Sequence, residues 1–177
     1  MKTTLKILFA LCIGFYVSCE TDIPETDTTA PTFSFRITGD GFEHTFTQDD
    51  DFNAIRLNLR EGASYDILLS GIDQGGVRRV QWELPPDYMD LQTAVNSPWQ
   101  SSTSGLTRTI SFNGDQNDPF NASLFAGTFI AHGDLVFITT YIRVEDFGGE
   151  NGPPFNVTEA TLSIAISPNN QTELINL

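Results

Sequence analysis

From Pro31 onward the chain alternates apolar and polar side chains with a period of two, and no stretch carries the spacing of a long helix. Over 32–37, Phe33, Phe35 and Ile37 share one side and Thr32, Ser34 and Arg36 the other. Gly39-Asp40-Gly41 reads as a turn, after which Phe42, His44 and Phe46 share a side. Asp49-Asp50-Asp51 breaks the pattern, and 53–59 resumes it with Ile55, Leu57 and Leu59. A strand over 64–70 runs into the Gly-rich loop 71–76. Val80, Trp82 and Leu84 then share one face of 77–84, and Pro85-Pro86 ends that strand because proline donates no ladder hydrogen bond.

The segment 85–105 is polar and carries little strand signal. Alternation returns at 106–112 and at 124–130, with a turn-rich loop between them. It is strongest over 135–145, where Val136, Ile138, Ile142 and Val144 face one way and Leu135, Phe137, Tyr141 and Arg143 the other. The last strand covers 155–166, with Leu162, Ile164 and Ile166 inward. About seven to nine short strands separated by turn signals predict an all-β, antiparallel sandwich. With no internal repeat and no dividing linker, 31–168 reads as one domain and 169–177 as a polar tail.

Ser70-Gly71-Ile72-Asp73-Gln74-Gly75-Gly76-Val77-Arg78-Arg79-Val80-Gln81-Trp82 resembles the end of strand B, the BC turn and strand C of bacterial immunoglobulin-like domains. Tyr141-Ile142-Arg143-Val144-Glu145-Asp146-Phe147-Gly148-Gly149-Glu150-Asn151 is similar to their strand F and FG turn, and 155–166 to strand G. The resemblance implies an immunoglobulin-like β-sandwich closed around Trp82. Two features depart from that pattern. No cysteine pair joins the sheets, and 39–62 is too long for a simple connection, so extra strands or a hairpin are expected there.

The amino terminus reads as an address. Lys2 and Lys6 precede an apolar run that is too short for a bilayer span, which needs about 20 apolar residues. The run ends at Tyr16-Val17-Ser18-Cys19, which resembles a bacterial lipoprotein box. That resemblance implies a signal peptide over 1–18 and a lipid on Cys19 as the first mature residue, with Tyr16 standing where the family usually has Leu. Glu20, Asp22, Glu25 and Asp27, interspersed with Thr and Pro24, make 19–30 an acidic flexible tether. Acids directly after the lipidated cysteine also resemble the surface-export signal of some Gram-negative lipoproteins. The expected location is therefore the bacterial outer membrane, on its surface or its periplasmic face.

Composition narrows the function. There are 23 acids against 9 bases, a formal net charge of -14, and no basic stripe, which argues against a nucleic-acid partner. Removal of the leader takes away Lys2, Lys6 and Cys12 and leaves a chain without lysine. With Cys19 acylated, no thiol remains for a disulfide, a metal or a nucleophile. The two histidines, His44 and His132, lie apart from any nucleophile motif, and no Gly-x-Ser-x-Gly is present.

Two kinds of site remain. In an immunoglobulin-like topology the BC and FG loops share one end, which would gather Asp73, Glu145, Asp146, Glu150 and Asn151 as calcium ligands. The competing reading is that Asp73 and Asp146 cap their own turns, and Asp49-Asp50-Asp51 is a second acidic candidate of the same kind. Ligand contact would fall to Tyr88 and Trp99 in the 85–105 segment, or to Phe137 and Tyr141 beside Arg79 and Gln81. These aromatics would otherwise cover a sheet edge, or be covered by the 39–62 elements. The expected function is a lipid-anchored, non-catalytic binding or assembly module of the cell surface with a protein or glycan partner. Its alternatives are a carbohydrate-binding accessory lipoprotein of a glycan-uptake system and a hydrolase of unknown class.

Overall fold

The computed structural model describes residues 23–177. The leader and Cys19 lie outside the described residues. Among those described there is no helix, and twelve strands form two stacked sheets. They are β1 (Thr32–Gly39), β2 (Phe42–Thr47), β3 (Ile55–Arg60), β4 (Ser64–Ile72), β5 (Val77–Leu84), β6 (Met89–Leu91), β7 (Trp99–Ser104), β8 (Thr107–Asn113), β9 (Ala122–Ala131), β10 (Val136–Asp146), β11 (Val157–Ser167) and β12 (Glu173–Asn176). One sheet has the order β2-β1-β4-β9-β6 and the other β12-β3-β11-β10-β5-β8-β7. Neighbours are antiparallel except β3 and β11, which run parallel.

The immunoglobulin-like elements fall where their residues predicted. β4 crosses through the 72–77 loop into β5 of the facing sheet, and β5 pairs with β10, which pairs with β11. The long connection over 39–62 supplies the expected extra strands. β2 folds back on β1 as a hairpin, and β3 crosses to the other sheet and lies parallel to β11. Three strands exceed the expected number: β6 and β7 inside 85–105, and β12 within 169–177, paired with β3. Backbone pairing makes these short strands, although five of the six residues of β7 are exposed and leave no alternation to read.

The core fills the space between the sheets. Trp82 is fully buried, with its ring 5.5 Å from Phe35 and 6.3 Å from Phe125. Its Nε1 donates to Thr140 Oγ1 at 2.7 Å, and that hydroxyl donates onward to the Glu83 carbonyl at 2.7 Å. The indole is thus buried without an orphaned donor. Each large apolar side chain removed from water contributes about 1.5–3 kcal/mol, so Phe, Leu and Ile in these positions hold the sheets together without a disulfide. At Gly71 the sheets leave no room for a side chain, since a Cβ there would run into Val80 and Val144 opposite.

The sandwich has two distinct ends. The 72–77 loop, between β4 and β5, and the 146–156 loop, between β10 and β11, lie at one end with the start of β1. The turns at 39–42, 104–107 and 131–136 lie at the other.

Candidate functional site

The amino-terminal stretch runs over the loop end. Asp27 N–H donates to the Gly148 carbonyl at 3.4 Å, and Glu150 N–H to the Pro24 carbonyl at 2.9 Å. Asn156 Nδ2 donates to the Asp27 carbonyl at 3.1 Å, and the Thr158 hydroxyl donates to the carbonyl of Pro31. Within the segment expected as a solvated tether, residues 24–27 are therefore hydrogen-bonded to the body. Two glycines make room for them. A Cβ on Gly75 would lie 2.7 Å from Asp27 Oδ2 and 2.9 Å from Pro24, and one on Gly149 would lie 2.8 Å from the Glu25 carbonyl.

This packing gathers three carboxylates. Asp27, Asp73 and Asp146 each offer an oxygen, and the three oxygens lie within 4.8 Å of one another. Asp73 and Asp146 are buried, Asp146 completely. Asp73 and Asp146 also organise their own turns, in the way of the capping reading, and Asp27 does the same for its own. Asp27 Oδ1 accepts from Thr29 N–H, Asp73 Oδ1 from Gly75 N–H, and Asp146 Oδ1 from Gly148 and Asn156 N–H, all at 2.8 Å. Asp146 Oδ2 takes a further bond from Asn156 Nδ2 at 2.6 Å. Burial pushes the Asp73 carboxyl up to about 6; the Gly75 N–H opposes this, and the charges of Asp146 and Asp27 add to it. A hollow of about 360 Å³ opens beside Asp27, Asp73, Thr26 and Thr29. Calcium takes about six to eight oxygens, so this trio could supply part of a shell completed by carbonyls and water.

The five residues expected as ligands do not stay together. Asp73 and Asp146 meet, but Glu145 points to the outer face of its sheet, because neighbouring residues of a strand point opposite ways. The register shift beside them puts the extra residue, Arg78, on β5. Glu145 is held on that outer face by Arg78 and Arg143, and Arg143 also pairs with Glu159. Glu150 is exposed and meets the segment only through its backbone, and the exposed Asn151 donates to the Glu25 carbonyl at 3.4 Å. Asp27 is the member that sequence reasoning missed. In Asp49-Asp50-Asp51, Asp50 and Asp51 accept from Thr47 and Asn53 N–H and order their own turn.

The aromatic candidates separate as well. Trp99 is buried 5.8 Å from Phe112 and 5.3 Å from Phe125, and its Nε1 donates to the Leu124 carbonyl at 2.9 Å. It is a core residue and offers no ring for stacking. Tyr88 is 37% exposed. Phe137 is 70% exposed on the outer face of the seven-stranded sheet, with the Arg56 guanidinium 5.4 Å from its ring centre. Tyr141 lies four residues along the strand on the same face and is half-buried. The 39–62 elements do not cover this patch, because β3 extends the sheet sideways. His44 lies between Phe42 and Phe46, and His132 sits 3.9 Å from exposed Asp90.

No protein-family model matches the chain, and no curated protein does. Among solved structures, a non-cellulosomal cohesin from the hyperthermophilic archaeon Archaeoglobus fulgidus is similar at 14% identity and a TM-score of 0.36. The match covers 64% of this chain and 91% of that one. A likeness of that size assigns no function.

Proposed function

We propose that this chain is a lipid-anchored, non-catalytic binding module of the bacterial cell surface, held to the outer membrane through Cys19. The observation that supports the reading most is the built-in amino-terminal segment. Residues 24–27 are fixed to the loop end, so the chain leading back to Cys19 departs from that end. The outer face carrying Phe137 reaches toward the opposite end and is left open to a partner. An anchor at one end and an open face toward the other is the geometry of presentation. Calcium bound by Asp27, Asp73 and Asp146 would fasten the segment, replacing mutual repulsion of three carboxylates with shared coordination.

Fractionation of the native producer tests the anchor and the location together. The wild-type chain is expected in the outer-membrane fraction and degraded by protease added to intact cells. Cys19→Ala is expected to release it in soluble form. A wild-type chain that is soluble, or that is shielded from protease until cells are opened, would overturn the reading of a surface anchor.

A further inference from the structure

The outer face of the five-stranded sheet changes character along its length. In the register of β1, β4 and β9, the row nearest the loop end holds Thr32, Ile72 and Ala122, and the next holds Ser34, Ser70 and Leu124. On these strands charge enters only beyond them, with Arg36 in the third row and Asp66 in the fourth. Ile72 is 48% exposed and Leu124 59%, and such diagonal neighbours on adjacent strands lie about 7–8 Å apart. The Ser34 and Ser70 hydroxyls bond each other at 3.0 Å, which lowers the cost of taking this face out of water. Phe120, 54% exposed, stands at the loop end of the patch, where its carbonyl accepts from Val77 N–H at 2.8 Å. The Asn121 carbonyl accepts from Asp73 N–H at 2.8 Å, so this stretch is tied to the 72–77 loop. That same loop carries Gly75 against Pro24. Three exposed apolar side chains therefore stand beside the place where the amino-terminal segment leaves the body.

We infer that this patch rests on a phospholipid surface. The inference depends on the reading of Cys19 as the lipid anchor. Tether length selects the occupant. Cys19 stands five positions before Pro24, a stretch of at most about 18 Å when fully extended. An anchored chain therefore keeps its loop end within that distance of the bilayer, and a surface held so close needs little intrinsic affinity to dock. The exposed apolar side chains of the other end, Leu106, Leu135 and Phe137, stand a full strand length away; the 9 residues of β4 alone span about 30 Å. Asp115 and Asp118 border Phe120, and the chain has 23 acids against 9 bases, so charge does not draw this end to a membrane. The removal of Ile72, Leu124 and Phe120 from water at the headgroup boundary does. Because the two sheets are stacked, a molecule lying on the five-stranded sheet turns the opposite face, with Phe137, outward. Docking and presentation thus use opposite faces of one body.

Spin labelling of the full acylated chain on phosphatidylcholine vesicles tests this. Phe120→Cys, Leu124→Cys and Leu106→Cys each place one thiol for a nitroxide at an exposed position, and melting temperatures check that each variant folds. Sedimentation with the vesicles reads the anchor. Relaxation by oxygen, which concentrates in lipid, against relaxation by an aqueous nickel chelate reads the patch. The oxygen-to-nickel ratio is expected to be at least threefold higher at 120 and 124 than at 106, at low and at high salt alike. Adding Leu124→Glu to the variant labelled at 120 is expected to bring its ratio down to that at 106 without loss of sedimentation; a ratio that stays high would overturn the inference. A chain that sediments while its labels at 120 and 124 are as open to water as that at 106 overturns the inference alone and leaves the face to a protein partner. A chain that does not sediment overturns the anchor reading, and the inference with it.

Discussion

Single side chains divide cleanly into those that hold the fold and those left to meet a partner. Trp99 belongs to the first group. Trp99→Ala is expected to cost about 3–5 kcal/mol in urea denaturation, by loss of a large buried ring and creation of a cavity. Tyr65 is a second case. Its hydroxyl bonds Thr172 Oγ1 at 2.7 Å and accepts from Arg60 N–H at 3.0 Å, and burial raises its phenol above the ordinary value. The unfolded phenol ionises near pH 10, about the model-peptide value, and the folded one only above it. Between those values the unfolded chain carries fewer protons, so the contribution of Tyr65 is complete below about pH 10 and is lost as pH rises through the folded pKa. Tyr65→Phe is expected to be less stable by about 1 kcal/mol at pH 8. That gap should shrink in urea midpoints taken above pH 10; a gap independent of pH would refute the shift. Trp82 could be read from the sequence as core because it alternates with Val80 and Leu84 on one strand. Trp99 could not, because polar residues follow it and its burial depends on Phe112 and Phe125 of β8 and β9.

Among the elements, strands with one buried face were legible, and strands defined by backbone pairing alone were not. β10 and β5 bury every second side chain along much of their length, and their alternation placed them in the chain. β6 buries Met89 and Leu91 on one face but spans only three residues, too few to show a period, while β7 is exposed over five of its six residues and β12 buries none. Contact between elements is tight at Gly71, where β4 faces β5 and β10 across the core. Gly71→Ala is expected to destabilise by about 1–3 kcal/mol through overpacking, measured by thermal or urea unfolding. A neutral result would mean that the sheets separate there at no cost. The same logic explains the half-legible acidic site. Topology alone brought Asp73 and Asp146 together, since both flank connections at one end of the sandwich. Strand alternation sent Glu145 away, and only the path of residues 24–27 across Gly75 and Gly149 delivered Asp27.

For the molecule as a whole, the distribution of features is polar in the geometric sense. Buried carboxylates and the amino-terminal segment occupy one end, and the open outer face carrying Phe137 lies toward the other. A rigid body between them would transmit position and no chemistry, which suits presentation. The proposed fastening of the segment by calcium at Asp27, Asp73 and Asp146 is the claim that would hold that arrangement rigid. Hydrogen exchange of the backbone amides of Asp27 and Thr29, followed in millimolar calcium and in chelator, tests it most directly. Calcium is expected to slow both amides at least tenfold in the wild-type chain and to leave them unchanged in Asp27→Asn. Equal rates in calcium and chelator for the wild-type chain would contradict it.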